Sequence, residues 1–548
     1  MTGSEAFIVI GSPPNPNGDL HLGHLTGPFL GADVLARYLR QTGREVIHTS
    51  YADDFSPYVA RRAAELGRPA EEVAFSFGQQ IEQTLSLAGM LPDYFTHPMR
   101  EPIHGEVVQR FFRELWDLGI FEVHDLPVYW CNDCSRYLYE AEVRGHCQFC
   151  AEPADGMFCE DCGKLQDTTG LRDPRCTRCG STDIGTRVLA RIVFPLEDYR
   201  EQLRKHYDGR SLRPRLRAYV DEMLSRPLPL TPISRVSPYG VSVPLPGWEG
   251  HVLDTWYGIW GHMAAATAYT AARGNPEAGL EAWRDKDTTI AHFMGFDCVF
   301  SHVLLWPATL MAHGGFAVPQ HAITNEFYQL EGKKFSTSRG YAIWGGELLR
   351  RVPADLVRFY LCMTGPEREQ GSFEAKDFMQ TVNDELVGSL QSWIRTVFEQ
   401  VGDDWGGRVP DVVAATDIEL ADRAAGLAER LAATFDPEVF SPRLATAELL
   451  SVIRALPDAT VELTAARSAG DGDHAALLAL HLEVVATVAA ATWPIMPAFC
   501  LALWKALRLP LPDPLRQTVP WPRPGQRLVP PGHMIDIHPP APFQPVEL

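Results

Sequence analysis

Eight of the eleven cysteines fall into four C-x-x-C pairs: CNDC (Cys131, Cys134), CQFC (Cys147, Cys150), CEDC (Cys159, Cys162) and CTRC (Cys176, Cys179). No other feature limits the fold so sharply. The stretch around them is rich in Gly, Pro, Asp and Arg and shows little hydrophobic periodicity, so it reads as an inserted, metal-stapled module. In a large chain without a basic, apolar, small-residue leader, this spacing means tetrahedral thiolate centres far more often than disulfides or an iron–sulfur cluster. Eight ligands supply two Cys₄ zinc sites. Cys362 and Cys500, like Cys298, lie in apolar runs and are expected in the core.

The 548 residues exceed one core and lead us to expect three or four domains. A net charge of −20 gives no general attraction to nucleic acid, so any such partner would need a local basic face. We read no uninterrupted apolar run long enough to cross a bilayer. The expectation is a soluble, cytoplasmic protein without a membrane partner.

Residues 6–115 alternate strand and helix patterns. The run AFIVIG is followed by SPPNPNGDLHLGHL (12–25) and an amphipathic helix, and EVIHTSYADD is a strand ending in paired acids. Such alternation predicts an α/β, doubly wound parallel sheet with ligands at the carboxyl ends of its strands. Both SPPNPNG and YADDF fall at such ends. α/β character resumes near 231, and an Ala/Leu-rich helical stretch from about 375 to 508 predicts a bundle before a Pro-rich, extended tail.

Two loops carry chemistry. Gly18 permits a turn, Asp19 is expected to cap the helix, and the helix start is an anion site. His21 and His24, three apart, share one face there, and Gly23 lets a nucleotide approach the backbone. The second loop, EGKKFSTSRG (331–340), offers adjacent lysines and hydroxyls to a phosphate on which charge builds. Each loop alone reads more readily as an ordinary solvated segment.

Together, HLGH at the first strand–helix turn and KFSTS some three hundred residues later resemble the paired motifs of class I aminoacyl-tRNA synthetases. The cysteine module between them, with ADVLARYLRQTGREV, YADD, HFMGFDCVFSHVLLWPATL, ADLVRFYL and FMQTVNDELVGSL, narrows the resemblance to the methionyl-tRNA synthetase family. It implies a class I Rossmann-type sheet with a zinc-knuckle insertion and a C-terminal helical bundle. The implied division is 1–115 and 231–325 for the two halves of the catalytic domain, with the insertion at 116–230. A linker domain at 326–380 carries the mobile loop, and an anticodon-binding-like bundle at 381–508 precedes the tail at 509–548.

The resemblance implies a ligase that joins an amino acid to ATP as aminoacyl-adenylate, with Mg²⁺, and passes it to tRNA. It assigns His21, His24 and Lys334 to catalysis, and Asn17, Gly23, Gly295, Asp297, Ser336 and Thr337 with them to ATP. Ser12, Pro13, Asn15, Asp54, Val252, Trp256, Cys298 and His302 are assigned to the amino acid, with Asp54 on its ammonium. It also implies that the inner pairs Cys147, Cys150, Cys159 and Cys162 share one zinc, and the outer pairs Cys131, Cys134, Cys176 and Cys179 the other. A monomer is expected.

The chain departs from that family in several places. Asn15 stands where the family has tyrosine, Val252 where it has tryptophan, and Trp256 where it has proline, so two aromatic walls around a thioether are lost or moved. Phe296 replaces a common lysine, and Thr337 the second lysine of the mobile loop. The anticodon-reading positions correspond to Gly388, Ser392 and Thr396, and no tryptophan is evident to stack on an anticodon base, a contact worth about 1–3 kcal/mol. These departures favour an alternative: a paralogue that activates a different amino acid for a non-tRNA acceptor in small-molecule biosynthesis. A non-catalytic zinc-knuckle protein is the third reading.

Overall fold

The computed structural model describes residues 6–157, 159, 161–166, 169–335, 341–414, 419–470, 473–511, 518–523, 526–538 and 540–547. They form two compact units. One comprises residues 1–20, 47–86 and 91–327; the other comprises 21–46, 87–90 and 328–548.

The first unit is built on a five-stranded sheet: β1 (Ala6–Gly11), β2 (Glu45–Tyr51), β3 (Tyr94–Thr96), β4 (Thr289–Gly295) and β5 (His321–Asn325), in the order β5-β4-β1-β2-β3. β4 runs parallel to β1 and β5, and β2 parallel to β3. Ile8, Val9 and Ile10 are fully buried, as a strand covered on both faces requires. After β2 come the helices Ala70–Leu87 and Pro102–Asp117, in keeping with the strand–helix alternation read over residues 6–115.

The insertion is more β-rich than its sequence suggests. Glu122–Cys131 and Ile184–Phe194 make a long antiparallel ribbon, joined by Arg136–Leu138 and Thr231–Pro232. Over much of the ribbon both faces meet solvent, so no alternation of apolar and polar residues marks it.

The second unit is mainly helical. Its longest helix among the described residues, Asp473–Thr492, is long and apolar enough to cross a membrane by length and composition, although His481 and Glu483 interrupt its apolar run. Most of it is buried, and Ala486, Ala489, Ala490 and Ala491 allow close approach of neighbouring helices. The tail is not a second core, but it is strapped down. The Asn383 side chain exchanges two hydrogen bonds with the Val546 backbone, Gln391 does the same with Phe543, and the Phe543 ring stacks on Phe499.

Candidate functional site

In the second unit the histidine motif opens the helix Leu22–His24, with His21 as N-cap in extended conformation. Asp19 is therefore not the cap. Its carboxylate instead accepts from the Leu20 N–H at 2.7 Å and the Thr84 hydroxyl at 2.8 Å. A kink at Gly27, beside Pro28, separates this turn from the helix Leu30–Gln41. The two imidazoles stack, with centroids 3.7 Å apart. The His21 backbone N–H donates to His24 Nδ1 at 3.3 Å, so a neutral His24 carries its proton on Nε2, as a donor.

Burial, then the neighbouring His24, lower His21 to about 2. Desolvation by the surrounding protein lowers His24 to about 4, although the residue is exposed. Both rings are neutral at pH 7.

Lys333 and Lys334 form the second arm of a hairpin with Tyr328–Leu330. Its two-residue turn has positive φ at both Glu331 (47°) and Gly332 (71°), the pattern of a type I′ turn. The next residue, Phe335, stacks on His21 at 4.5 Å with the planes 3° apart. The Leu22 N–H donates to the Ile343 carbonyl at 3.1 Å, and Trp344 bridges to His21. A Cβ at Gly23 would sit 2.9 Å from the His21 ring and 3.2 Å from Phe335, so glycine is needed for this stack. Ser336 and Thr337 lie outside the described residues.

In the first unit, the loop after β1 leaves Asn15 exposed and Asn17 and Pro13 half-buried, while Ser12 is buried. The Pro14 carbonyl accepts from the Asp53 N–H at 2.9 Å, tying this loop to the paired acids. Asp54 is 2% exposed; one oxygen accepts from the Met99 N–H at 3.0 Å and the other has no hydrogen-bond partner among the described residues. Burial pushes its carboxyl up to about 6, and the Met99 N–H moderates the rise. Asp53, raised by burial to about 7, lines a small pocket with Asp54, Asp254, Tyr51 and His104.

Beside it lie groups that sequence reasoning missed. Arg235 is 3% exposed and donates to the Phe55 carbonyl. Glu140, with a positive φ of 42°, accepts from the Trp256 indole at 2.8 Å, and burial pushes it up to about 8. Trp256 is thus held by a carboxyl group of the insertion. Val252 is buried on the strand His251–Leu253 and pairs with Arg235.

His302 is buried. The Ser301 hydroxyl donates to the Cys298 carbonyl at 3.0 Å, so at 2.8 Å it accepts from His302 Nδ1–H. Nε2 is then a lone-pair acceptor, buried and without a partner. His292 lies 4.7 Å away, His262 5.6 Å beyond it, and then Tyr51 and His104. Of this column only His302 is assigned a role through the family resemblance; His104, His262 and His292 receive none. Gly295 and Asp297 share the turn after β4; a Cβ on Gly295 would collide with the Asp297 carboxylate, so glycine lets that group fold over the backbone.

The cysteines gather as Cys131, Cys134, Cys176 and Cys179, and as Cys147, Cys150, Cys159 and Cys162. No disulfide links them. Sulfur pairs lie 3.7 and 3.9 Å apart in the first cluster and 3.8 and 3.5 Å in the second. A tetrahedron with bonds of 2.3 Å has edges of about 3.8 Å, so both sets fit zinc. The Gln166 side chain donates to Cys147 Sγ at 3.0 Å, as a thiolate ligand favours. Cys362 and Cys500 are buried, and Cys298 is half-buried.

A parallel sheet whose first strand leads into a stacked histidine pair, with a lysine-bearing hairpin packed beside that pair, defines the class I tRNA synthetase architecture. The family model of tRNA synthetases class I (M) matches residues 8–398. The methionine–tRNA ligase of Methanopyrus kandleri is 33% identical over 79% of this chain and 64% of its own length, so the chain spans just under two thirds of that relative. That of Thermoplasma acidophilum is 31% identical over 68% and 69%. The Mycobacterium tuberculosis methionyl-tRNA synthetase in complex with methionyl-adenylate has the same fold, with a TM-score of 0.78 and 22% identity over 98% of this chain and 99% of that one. The chain belongs to the methionyl family of class I tRNA synthetases.

Proposed function

We propose that the chain activates methionine with ATP to methionyl-adenylate and transfers the aminoacyl group to tRNA. The observation that carries this reading is the packing of Phe335, next to Lys334, on the paired imidazoles. His24 donates Nε2–H to phosphate oxygens at the helix start, and Lys334 neutralises the leaving pyrophosphate. Gly295 and Asp297 hold the ribose. The unpartnered oxygen of Asp54 takes the α-ammonium, and His302 closes the amino-acid pocket. No protein nucleophile takes part; the carboxylate attacks the α-phosphorus and pyrophosphate leaves, with Mg²⁺ arriving on the triphosphate. The protein acts in the cytoplasm as a monomer.

ATP–pyrophosphate exchange against a panel of amino acids tests this. Exchange with methionine alone supports the reading, and silence with every amino acid sinks it. The second reading, another amino acid and a non-tRNA acceptor, draws on the bundle. The Ser392 and Thr396 hydroxyls donate to carbonyls of their own helix, at Val387 and Ser392, and Gly388 has no side chain to read a base.

Asp54 also sets a pH dependence. Burial places its carboxyl near 6, so it is increasingly protonated below that and cannot pair with an ammonium. The KM for the amino acid is expected to rise about tenfold from pH 7.5 to pH 5. In Asp54→Asn, KM is high at every pH and this slope disappears.

Zinc fills both cysteine clusters and serves structure only. Metal analysis should find two zinc ions per chain and one in Cys159→Ser, with raised proteolysis between residues 143 and 176. A stable, zinc-free and active variant would contradict this role.

A further inference from the structure

The inner cysteine cluster packs against the turn that carries Gly295 and Asp297. Gly163, directly after Cys162, donates its N–H to the Cys159 carbonyl at 2.8 Å and has a φ of +69°. A Cβ there would lie 3.2 Å from the Phe296 ring, 3.1 Å from Val299 and 3.4 Å from Tyr219. The Tyr219 hydroxyl donates to the Gly163 carbonyl at 3.0 Å, and its ring meets Phe296 edge-on. Arg215 completes the junction: it donates to the Asp161 carbonyl at 2.7 Å, stacks 3.5 Å over the Phe296 ring, and forms an ion pair with Glu326 just beyond β5. Phe296, 3% exposed, stands between Gly295 and Asp297.

We propose that Gly163, Arg215 and Phe296 are positioning residues through which the Cys147–Cys162 knuckle sets the nucleotide-ribose turn. The lysine common at position 296 in the family would not provide the apolar ring on which both knuckle and guanidinium rest. The outer cluster offers a contrast: Gly180, after Cys179, has a similar φ of +75° but nothing within 4 Å of a built Cβ. The two knuckles therefore differ in what they touch, and only the inner one buttresses this turn.

The inference rests on the assignment of Gly295 and Asp297 to the ribose, and its test separates the two. ATP affinity is measured by calorimetry on the full chain, with zinc per chain determined on the same samples. Gly163→Ala should bind ATP about tenfold more weakly, with two zinc ions retained and the amino-acid KM within about twofold of wild type. Gly180→Ala, equally strained but free of contacts, should bind ATP as wild type does. If Gly163→Ala does not fold, Phe296→Leu should show the same selective loss, and Phe296→Tyr should restore it. Wild-type ATP affinity in both Gly163→Ala and Phe296→Leu, or an equal loss in Gly180→Ala, would overturn the proposal. Should Asp297→Ala bind ATP as wild type does, the ribose assignment falls and takes the proposal with it. Should Asp297→Ala bind weakly while Gly163→Ala does not, only the coupling falls.

Discussion

His24→Ala should lower the rate of adenylate formation by about 10²–10³-fold, the loss typical of removing one preorganised donor from a developing phosphate charge. The argument runs from the hydrogen bond at Nδ1. Because the His21 backbone N–H occupies that nitrogen, the proton of a neutral His24 sits on Nε2, and the stack with His21 holds the ring still. A donor fixed before the reaction needs no reorganisation as charge builds. His24→Gln, which keeps a neutral N–H donor, should recover part of the rate, and the amino-acid KM should change little in either variant. With His24 lowered to about 4 by desolvation, its protonation should contribute no slope to the rate between pH 6 and 9. Single-turnover adenylate formation against pH checks both points. A loss under fivefold in His24→Ala would remove this histidine from the mechanism.

The largest structural effect is expected at Arg358. Its side chain is wholly buried and every donor nitrogen is used: Nε on the Ile495 carbonyl, Nη1 on Ala88 and Gly89, Nη2 on Pro494 and on Asp33 at 2.6 Å. One guanidinium thus joins the helix Leu30–Gln41, the segment 87–90, its own helix Ala354–Thr364 and the end of the long apolar helix. Arg358→Ala removes this donor from the Ala88, Pro494 and Ile495 carbonyls, while the Gly89 carbonyl and Asp33 keep the partly exposed Arg37, 2.9 and 2.8 Å away. Breaking a buried pair in this way costs about 3–5 kcal/mol. Calorimetry should show the melting of the second unit moving down by many degrees. Amide exchange should rise first in Leu30–Gln41, and an unchanged melt would refute the account.

Local features were the legible ones. The strand β1, the helices Ala70–Leu87 and Pro102–Asp117 and the four cysteine pairs each announce themselves within twenty residues, because period and spacing are properties of short segments. The partition of the cysteines into inner and outer clusters came from family resemblance, not from spacing. Features made by distant partners stayed hidden. Asp19 sits at a plausible capping position, yet its partner Thr84 lies sixty-five residues away. ADLVRFYL gives no hint that its arginine is wholly buried. His104, His262 and His292 meet only because the sheet and its flanking helices converge. Glu140 meets Trp256 across 116 residues, which no window on the sequence spans.

The second unit takes residues 21–46 from near the start of the chain and 328–548 from its far end. During synthesis the helix bearing Asp33 leaves the ribosome 325 residues before Arg358, a wait of roughly a quarter of a minute to a minute at ordinary elongation rates. Throughout that interval Asp33 has its helix neighbour Arg37, but not the buried guanidinium that joins this helix to the rest of the unit. The stacking of Phe335 on His21 likewise awaits the synthesis of residue 335.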